Sequence, residues 1–386
     1  MANTLKFGNG NWATKEDSVL AYNDENNNFK PLPFDFTRAS TATYVDSDGL
    51  IKTSRNGEAR IDYTDSTDGA LLLEPSRSNL ITYSQDFSNY FVVLGVIAEA
   101  GFTDPSGNTT AFKLSNFANA SSRFDYSTPT PPVNGTTYTY SAYYKGSGTI
   151  RINCSTTTGV GGSGEKEIVL TDEWKREEVS FTALNATGNV RTHAAITRAS
   201  NNDAIVYLAF TQIEAGSYAT SYIPTSGSAA TRVADVCEGA GNDQVMNSTE
   251  GVLYFEGNPI LEDLNSKEIQ INGGNLSTVR LQFRANGNVR FYLFSNSAQI
   301  FLISVTIAGL YSATAKVAIK YKSGESKLYI NGNQIGATNT STFNFPTLLS
   351  TLSYGGLGGQ DFYGNTKDLR VYNTALTDAE LATLTT

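Results

Sequence analysis

Apolar residues in the middle of this chain fall on every second position. Tyr138, Tyr140, Ala142 and Tyr144 alternate with Thr139, Ser141, Tyr143 and Lys145, and Ile150, Ile152 and Cys154 alternate with Arg151 and Asn153. A period of two marks a strand with one covered and one open face, because successive side chains point to opposite sides. Val190, Ala194 and Ile196 repeat the pattern against Arg191, His193 and Thr197, and Ile205–Phe210 is apolar throughout, as a well-covered strand would be. No stretch has the spacing of a long amphipathic helix. The 34 Gly and 10 Pro supply turns, and the 21 Tyr and 20 Phe suit a pleated surface. The expectation is an all-β fold: an extended N-terminal arm, two antiparallel β-sandwich (jelly-roll) domains and one short C-terminal helix.

A chain of 386 residues is long for one core, so two or three domains are expected. Residues 1–34 are polar and Asn-rich and read as an extended arm that orders against a partner, with Trp12, Tyr22 and Phe29 as its anchors. Residues 35–84 carry short strands around the turns Asp48-Gly49 and Asn56-Gly57. Residues 85–226 form the first sandwich and 227–250, small and polar, a linker. Residues 251–386 form the second, with hairpin signals at Asn286-Gly287 and Asn331-Gly332. Thr377 and Glu380 make a capping box for a closing helix, and Leu376 and Leu381 can staple it.

The formal charge is −9 and no Lys/Arg run could track a phosphate backbone, so nucleic acid is not an expected partner. No apolar stretch is long enough for a membrane helix. Cys154 and Cys237 fall in different domains and read as two free buried thiols. The start lacks the basic and apolar regions of a signal peptide, so synthesis in the cytoplasm is expected, and an outside role would need another delivery route, such as release inside a virus particle.

Three passages carry a resemblance. Phe36–Tyr44, Asp48–Ile51, Ala59–Tyr63 and Leu72–Leu80 resemble a recurring element of bacteriophage tail-fibre and other virion proteins, with Ala59 where that element often has proline. Residues 85–226 resemble carbohydrate-binding-module jelly rolls through Asp86-Phe87-Ser88, Asp104–Leu114, Tyr138–Lys145 and Trp174-Lys175-Arg176. They close on Gln212–Gly216 and Thr220–Thr225, a phage-type signature. The last domain is similar to laminin-G-like and concanavalin-A-like sandwiches through Lys327–Gly332 and Asp368–Leu376. The resemblance implies a phage virion fibre, spike or decoration protein, located in the virion. Its arm would bind other virion proteins, and its sandwiches would bind host-surface or environmental polysaccharide. By analogy with fibres it implies a homo-oligomer, a trimer being the model. A purely structural virion component and a glycan depolymerase are the alternatives.

Catalysis is not expected. His193 is the single histidine and has no nucleophile elbow near it, and no phosphate-cradling loop precedes a helix. A glycosidase needs only two placed carboxylates, so acidic residues alone do not decide that class. Sugar binding needs a flat aromatic face and planar polar groups. Alternation places Tyr143, Lys145, Arg151, Asn153, Arg191 and His193 on the outward side of the middle domain, the candidate saccharide surface. The same pattern also fits a plain solvated face or one buried against a neighbour. Trp174 reads as a packing anchor. No cofactor is expected beyond a structural Ca²⁺, for which Asp86 and Glu214 are candidate ligands; a carboxylate capping a turn is the competing reading.

Overall fold

The computed structural model describes residues 5–386, except 24–27, 94, 118–120, 157–161, 185–191, 199–202, 261–265, 275–276, 311–313 and 357–359. The described elements are almost all antiparallel strands, with one α-helix at Asp378–Leu384. Thr377 caps that helix and Glu380 closes the capping box. Leu376 and Leu381 are buried together beside Tyr254, Tyr329 and Tyr372, so the helix packs on an outer sheet face. No described helix is long and apolar enough to cross a membrane.

The larger sandwich packs an eight-stranded sheet against a nine-stranded one. The first runs Asn333–Asn339, Ser326–Ile330, Ala315–Lys322, Glu250–Pro259, Gly364–Tyr372, Ala70–Leu73 and Arg60–Asp62, with Leu5–Gly8 also paired to Gly364–Tyr372. The second runs Thr14–Lys15, Ser18–Asn23, Asn28–Thr37, Val236–Ala240, Thr351–Tyr354, Lys267–Asn272, Ser277–Arg284, Asn288–Ser295 and Ala298–Thr306. Asn331-Gly332 turns one hairpin with both residues at positive φ (46° and 82°), where asparagine and glycine are tolerated.

Two of the expected boundaries are corrected here. Residues 5–37 do not stand off as an arm. Leu5, Phe7, Val19, Ala21, Phe34 and Phe36 are fully buried in the large core. The stretch is polar on average, yet its apolar residues are in phase, and phase decides burial in a strand. Residues 227–250 are not a free linker either. Ala230–Arg232 pairs with Arg77–Asn79, and Val236–Ala240 pairs with both Asn28–Thr37 and Thr351–Tyr354. The large sandwich is therefore discontinuous in sequence, and the jelly roll is inserted into it.

The jelly roll has two five-stranded sheets around a separate core. Its back sheet runs Phe91–Val93, Arg123–Ser127, Thr192–Arg198, Thr149–Thr156 and Ser163–Val169. Its front sheet runs Ile97–Phe102, Ala111–Ser115, Ile205–Ala215, Thr137–Ser147 and Lys175–Thr182. Tyr138, Tyr140, Ala142, Tyr144, Ile150, Ile152 and Cys154 fill the space between, as the alternation requires. Cys154 and Cys237 are free and buried in different cores, and burial raises both thiol pKa values.

A buried ionic network seals the seam between the sandwiches. Asp235 takes Arg38 at 3.0 Å and Arg60 at 2.5 Å, and Glu74 takes Arg60 at 2.6 Å and Arg232 at 2.9 Å. Ser221, from the end of the jelly roll, donates its N–H (2.7 Å) and hydroxyl (2.6 Å) to Glu74. The excess arginine charge is spread over carbonyl oxygens of Ser40, Thr43, Arg55, Glu58 and Pro75. Burial alone would raise the Glu74 carboxyl, but Arg232, Arg60 and Ser221 bring it down to about 2. Arg38, Arg60, Glu74 and Ser221 lie in Phe36–Tyr44, Ala59–Tyr63, Leu72–Leu80 and Thr220–Thr225, and these separate passages thus share one physical role.

Candidate functional site

The outward side of the front sheet is built from three neighbouring strands. Tyr143 lies opposite Arg176 on one side and Ala209 on the other, and Lys145 lies opposite Tyr207. Between Ser141 and Tyr143 the register slips by one residue, and Phe210 sits in this bulge with φ +55°. Such a conformation is costly for an aromatic residue and re-aims its side chain. The Phe210 ring stacks on Tyr222 at 4.5 Å and meets Tyr143 edge-on at 6.0 Å. The hairpin Ala42–Val45/Ile51–Ser54 stands over this face, with Val45 and Ile51 packed against the cluster of Phe210, Tyr222 and Tyr143.

A cleft of about 190 Å³ opens where hairpin, jelly roll and large sandwich meet. Tyr44, Tyr143, Tyr218 and Tyr222 line it together with Arg176 and Asn365. Arg176 is half-buried. Its guanidinium donates to the Ser141 hydroxyl at 2.9 Å and lies 5.7 Å from the Tyr143 ring. It makes no ion pair among the described residues, and its Nε and the Asn365 Oδ1 are buried without a hydrogen-bond partner there. Burial raises the Tyr143 hydroxyl pKa and pushes Tyr218 up to about 12 despite Arg77, so both stay neutral donor–acceptors at ordinary pH. Three carboxylates reach the cleft. Asp62 accepts from the N–H groups of Val45 (2.8 Å) and Thr64 (3.0 Å), and Glu74 is held in the seam, which leaves Asp65 open.

A second cleft, about 460 Å³, lies on the same face and is lined by Phe102, Thr103, Lys145, Asp172 and Tyr207. The Lys145 ammonium sits 5.8 Å from the Trp174 ring and 5.9 Å from the Tyr207 ring, and Phe102 meets Tyr207 edge-on at 5.2 Å. Trp174 is half-buried beside the Phe210 cluster as a packing anchor, and its ring faces the Lys145 ammonium that lines this cleft.

The six residues expected to share a surface are divided. Tyr143 and Lys145 are on the front sheet. Arg151 and Asn153 are on the back sheet, whose open side points the opposite way across the common core, and they stand over Glu165 at 3.9 and 3.4 Å. His193 pairs through its backbone with Ser127 and Ser155 on the back sheet. Arg191 lies outside the described residues. The reading failed because alternation assigns a side within one strand, while assignment of strands to sheets is made by long-range pairing. Arg176 was missed for the same reason: only its pairing with Tyr143 brings it to the site.

Asp86 and Glu214 do not form one ion site. Asp86 caps the turn Phe87–Asn89, accepting from the Ser88 N–H and hydroxyl. Glu214 is buried on the front sheet and accepts from Gln212 Nε2 at 2.6 Å and from the Thr220 N–H at 2.9 Å. Burial raises its pKa against these donors and Arg176. Among the described residues no group of three or more His, Cys, Asp or Glu could hold a metal. Trp12 is not free to plug into a partner, for its ring packs on the large core and its Nε1 donates to Gly69 O at 3.2 Å. Tyr22 and Phe29 face each other edge-on at 5.4 Å near the end of a hairpin, and Phe29 remains exposed.

Residues 261–382 match the family model of the concanavalin A-like lectin/glucanases superfamily, in the part of the chain whose passages resemble such sandwiches. No curated protein matches the chain. Among solved structures, the chain is similar to the Ruminococcus gnavus IT-sialidase CBM40 bound to alpha2,3 sialyllactose, at 23% identity over 39% of this chain and 94% of that one, with a TM-score of 0.32. It is similar to domain 4 of AbnA, a Geobacillus stearothermophilus arabinanase, in complex with arabinotriose, at 17% identity over 44% and 82% of the two chains, with a TM-score of 0.32. Another similar structure is the native heptameric SAP-like pentraxin of Limulus polyphemus, at 17% identity over 36% and 70%, with a TM-score of 0.29.

Proposed function

We propose that this chain is a non-catalytic glycan-binding protein of a virus particle, and that the junction cleft on the jelly roll takes the saccharide. The observation that carries the reading is Arg176, fixed by Ser141 and Tyr143 in a tyrosine-lined cleft and making no ion pair among the described residues. Arg176 lies within electrostatic reach of the Glu214 carboxylate but makes no ion pair with it, so a ligand oxygen can still pair with the guanidinium. Tyrosine rings offer flat faces to sugar C–H groups, and the neutral hydroxyls offer hydrogen bonds. The lectin-type family match supports the same class. Binding is favoured over hydrolysis because two of the three cleft carboxylates are already engaged by the protein, whereas glycoside cleavage takes two working carboxylates. The virion setting rests on the resemblance of the seam-forming passages to virion proteins. There, many copies would turn weak single contacts into retention.

The test is a glycan array probed with the wild-type chain and with Arg176→Gln. The expected result is retention of a defined set of glycans by the wild type and its loss in the variant. Equal retention by both excludes this cleft, and no retention by either favours a structural virion component.

A further inference from the structure

We infer that the front face binds an internal stretch of an acidic polysaccharide rather than a single terminal sugar, with Lys145 at the centre of a second subsite; this deepens the saccharide reading of the junction cleft and rests on it. Tyr143 and Lys145 are two positions apart on one strand, so they point the same way about 6.8 Å apart. Arg176 pairs with Tyr143, and Trp174, two positions earlier and just before that strand begins, brings its ring to the Lys145 ammonium. The face therefore carries two adjacent rungs. One is Tyr207, Lys145 and Trp174, and the other is Ala209, Tyr143 and Arg176.

Each rung presents a cation against aromatic rings. Lys145 is held between Trp174 and Tyr207, and Arg176 lies over Tyr143. Cation–π contact orients a charge without consuming its hydrogen-bond donors. Neither cation makes an ion pair among the described residues, and Lys145 makes no hydrogen bond there. Two neighbouring cations left open in a chain of net charge −9 fit a ligand whose anionic groups recur along its length. Of the carboxylates near them, Asp172 borders the Lys145 cleft and Asp65 the other, while Asp62, Glu74, Glu178 and Glu214 already accept protein donors. The two clefts, about 190 and 460 Å³, lie on one side of one sheet, so a chain can run along both.

The experiment uses the full chain on an array bearing acidic and neutral glycans, each as a monosaccharide and as an oligosaccharide. Wild type, Lys145→Met, Trp174→Ala and Arg176→Gln are compared, with thermal unfolding as the check on folding. The wild type is expected to hold acidic oligosaccharides roughly tenfold or more above their monosaccharides. Lys145→Met should remove that advantage and leave monosaccharide binding as it was, Trp174→Ala should remove it too, and Arg176→Gln should lower both. Equal retention of neutral and acidic oligosaccharides overturns the inference. So does an unchanged length preference in Lys145→Met. In either case loss of binding in Arg176→Gln leaves the junction cleft standing, and no glycan bound by the wild type overturns both. Retention that fades as salt is raised supports the charge component.

Discussion

On the back sheet of the jelly roll, Arg151 and Asn153 are partly exposed and stand over Glu165. On the front sheet, Arg176 and Lys145 lie against aromatic rings with no ion-pair partner among the described residues. The two faces come from the same alternation and the same kinds of residue. What separates them is what stands above. The front face is walled by a hairpin from the discontinuous sandwich and by the loop through Tyr218 and Tyr222, both pinned by the buried seam. On the back face Arg151 pairs with Glu165 at 3.9 Å with both side chains largely exposed, so these charges neutralise each other weakly in water. A binding site in such a fold is made less by the strand than by the cover held over it.

The strongest way to break this contrast is to cut the seam. Glu74→Gln leaves Arg60 and Arg232 short of a buried carboxylate and should cost about 3–5 kcal/mol in urea unfolding, whereas Glu165→Gln on the back face should cost less than about 1 kcal/mol. Similar small costs for both would show that the seam does not hold the walls. Acid should act on the same group. The Glu74 carboxyl titrates near 2 when folded against 4.5 as a free group, so its contribution is complete above pH 4.5 and is lost as pH falls from 4.5 toward 2. That contribution is on the order of 3 kcal/mol. A melting-temperature series over that window should fall steeply for the wild type and less so for Glu74→Gln.

Smaller effects sharpen the contrast at the ligand. Tyr143→Ala should weaken glycan retention roughly tenfold, about 1.4 kcal/mol, while Asn153→Ala leaves it unchanged; the reverse pattern would move the site to the back sheet. Least of all, Arg151→Gln should alter stability by less than about 0.5 kcal/mol and leave the retained glycans as they were. A larger loss in differential scanning would mean that the back face is covered by something after all.

Much of the fold was legible because local chemistry settles it. The aromatic alternation of Tyr138–Tyr144 named a core face correctly, and Asn331-Gly332 named a hairpin. Thr377 and Glu380 placed the helix start to the residue. The N-terminal strands were harder, because Pro31, Pro33 and the Asn-rich stretch punctuate a run whose apolar phase is otherwise regular. Of the site, Tyr143 and Lys145 could be read from a single strand. Arg176, Tyr44, Tyr218 and Asn365 could not, since they come from four other places in the chain.

By itself, the sequence determined that this protein is built of antiparallel strands, where several of them turn, and which side of each meets a core. Those are consequences of a two-residue period and of backbone angles that few residue types accept. Only the tertiary structure decided which sheet each strand joins, that the last sandwich is completed by the first residues, and that five buried charges lock an inserted domain in place. These are choices among long-range pairings, whose free energy resides in contacts between residues far apart in sequence. The walls over Arg176 and Lys145 belong to that second set.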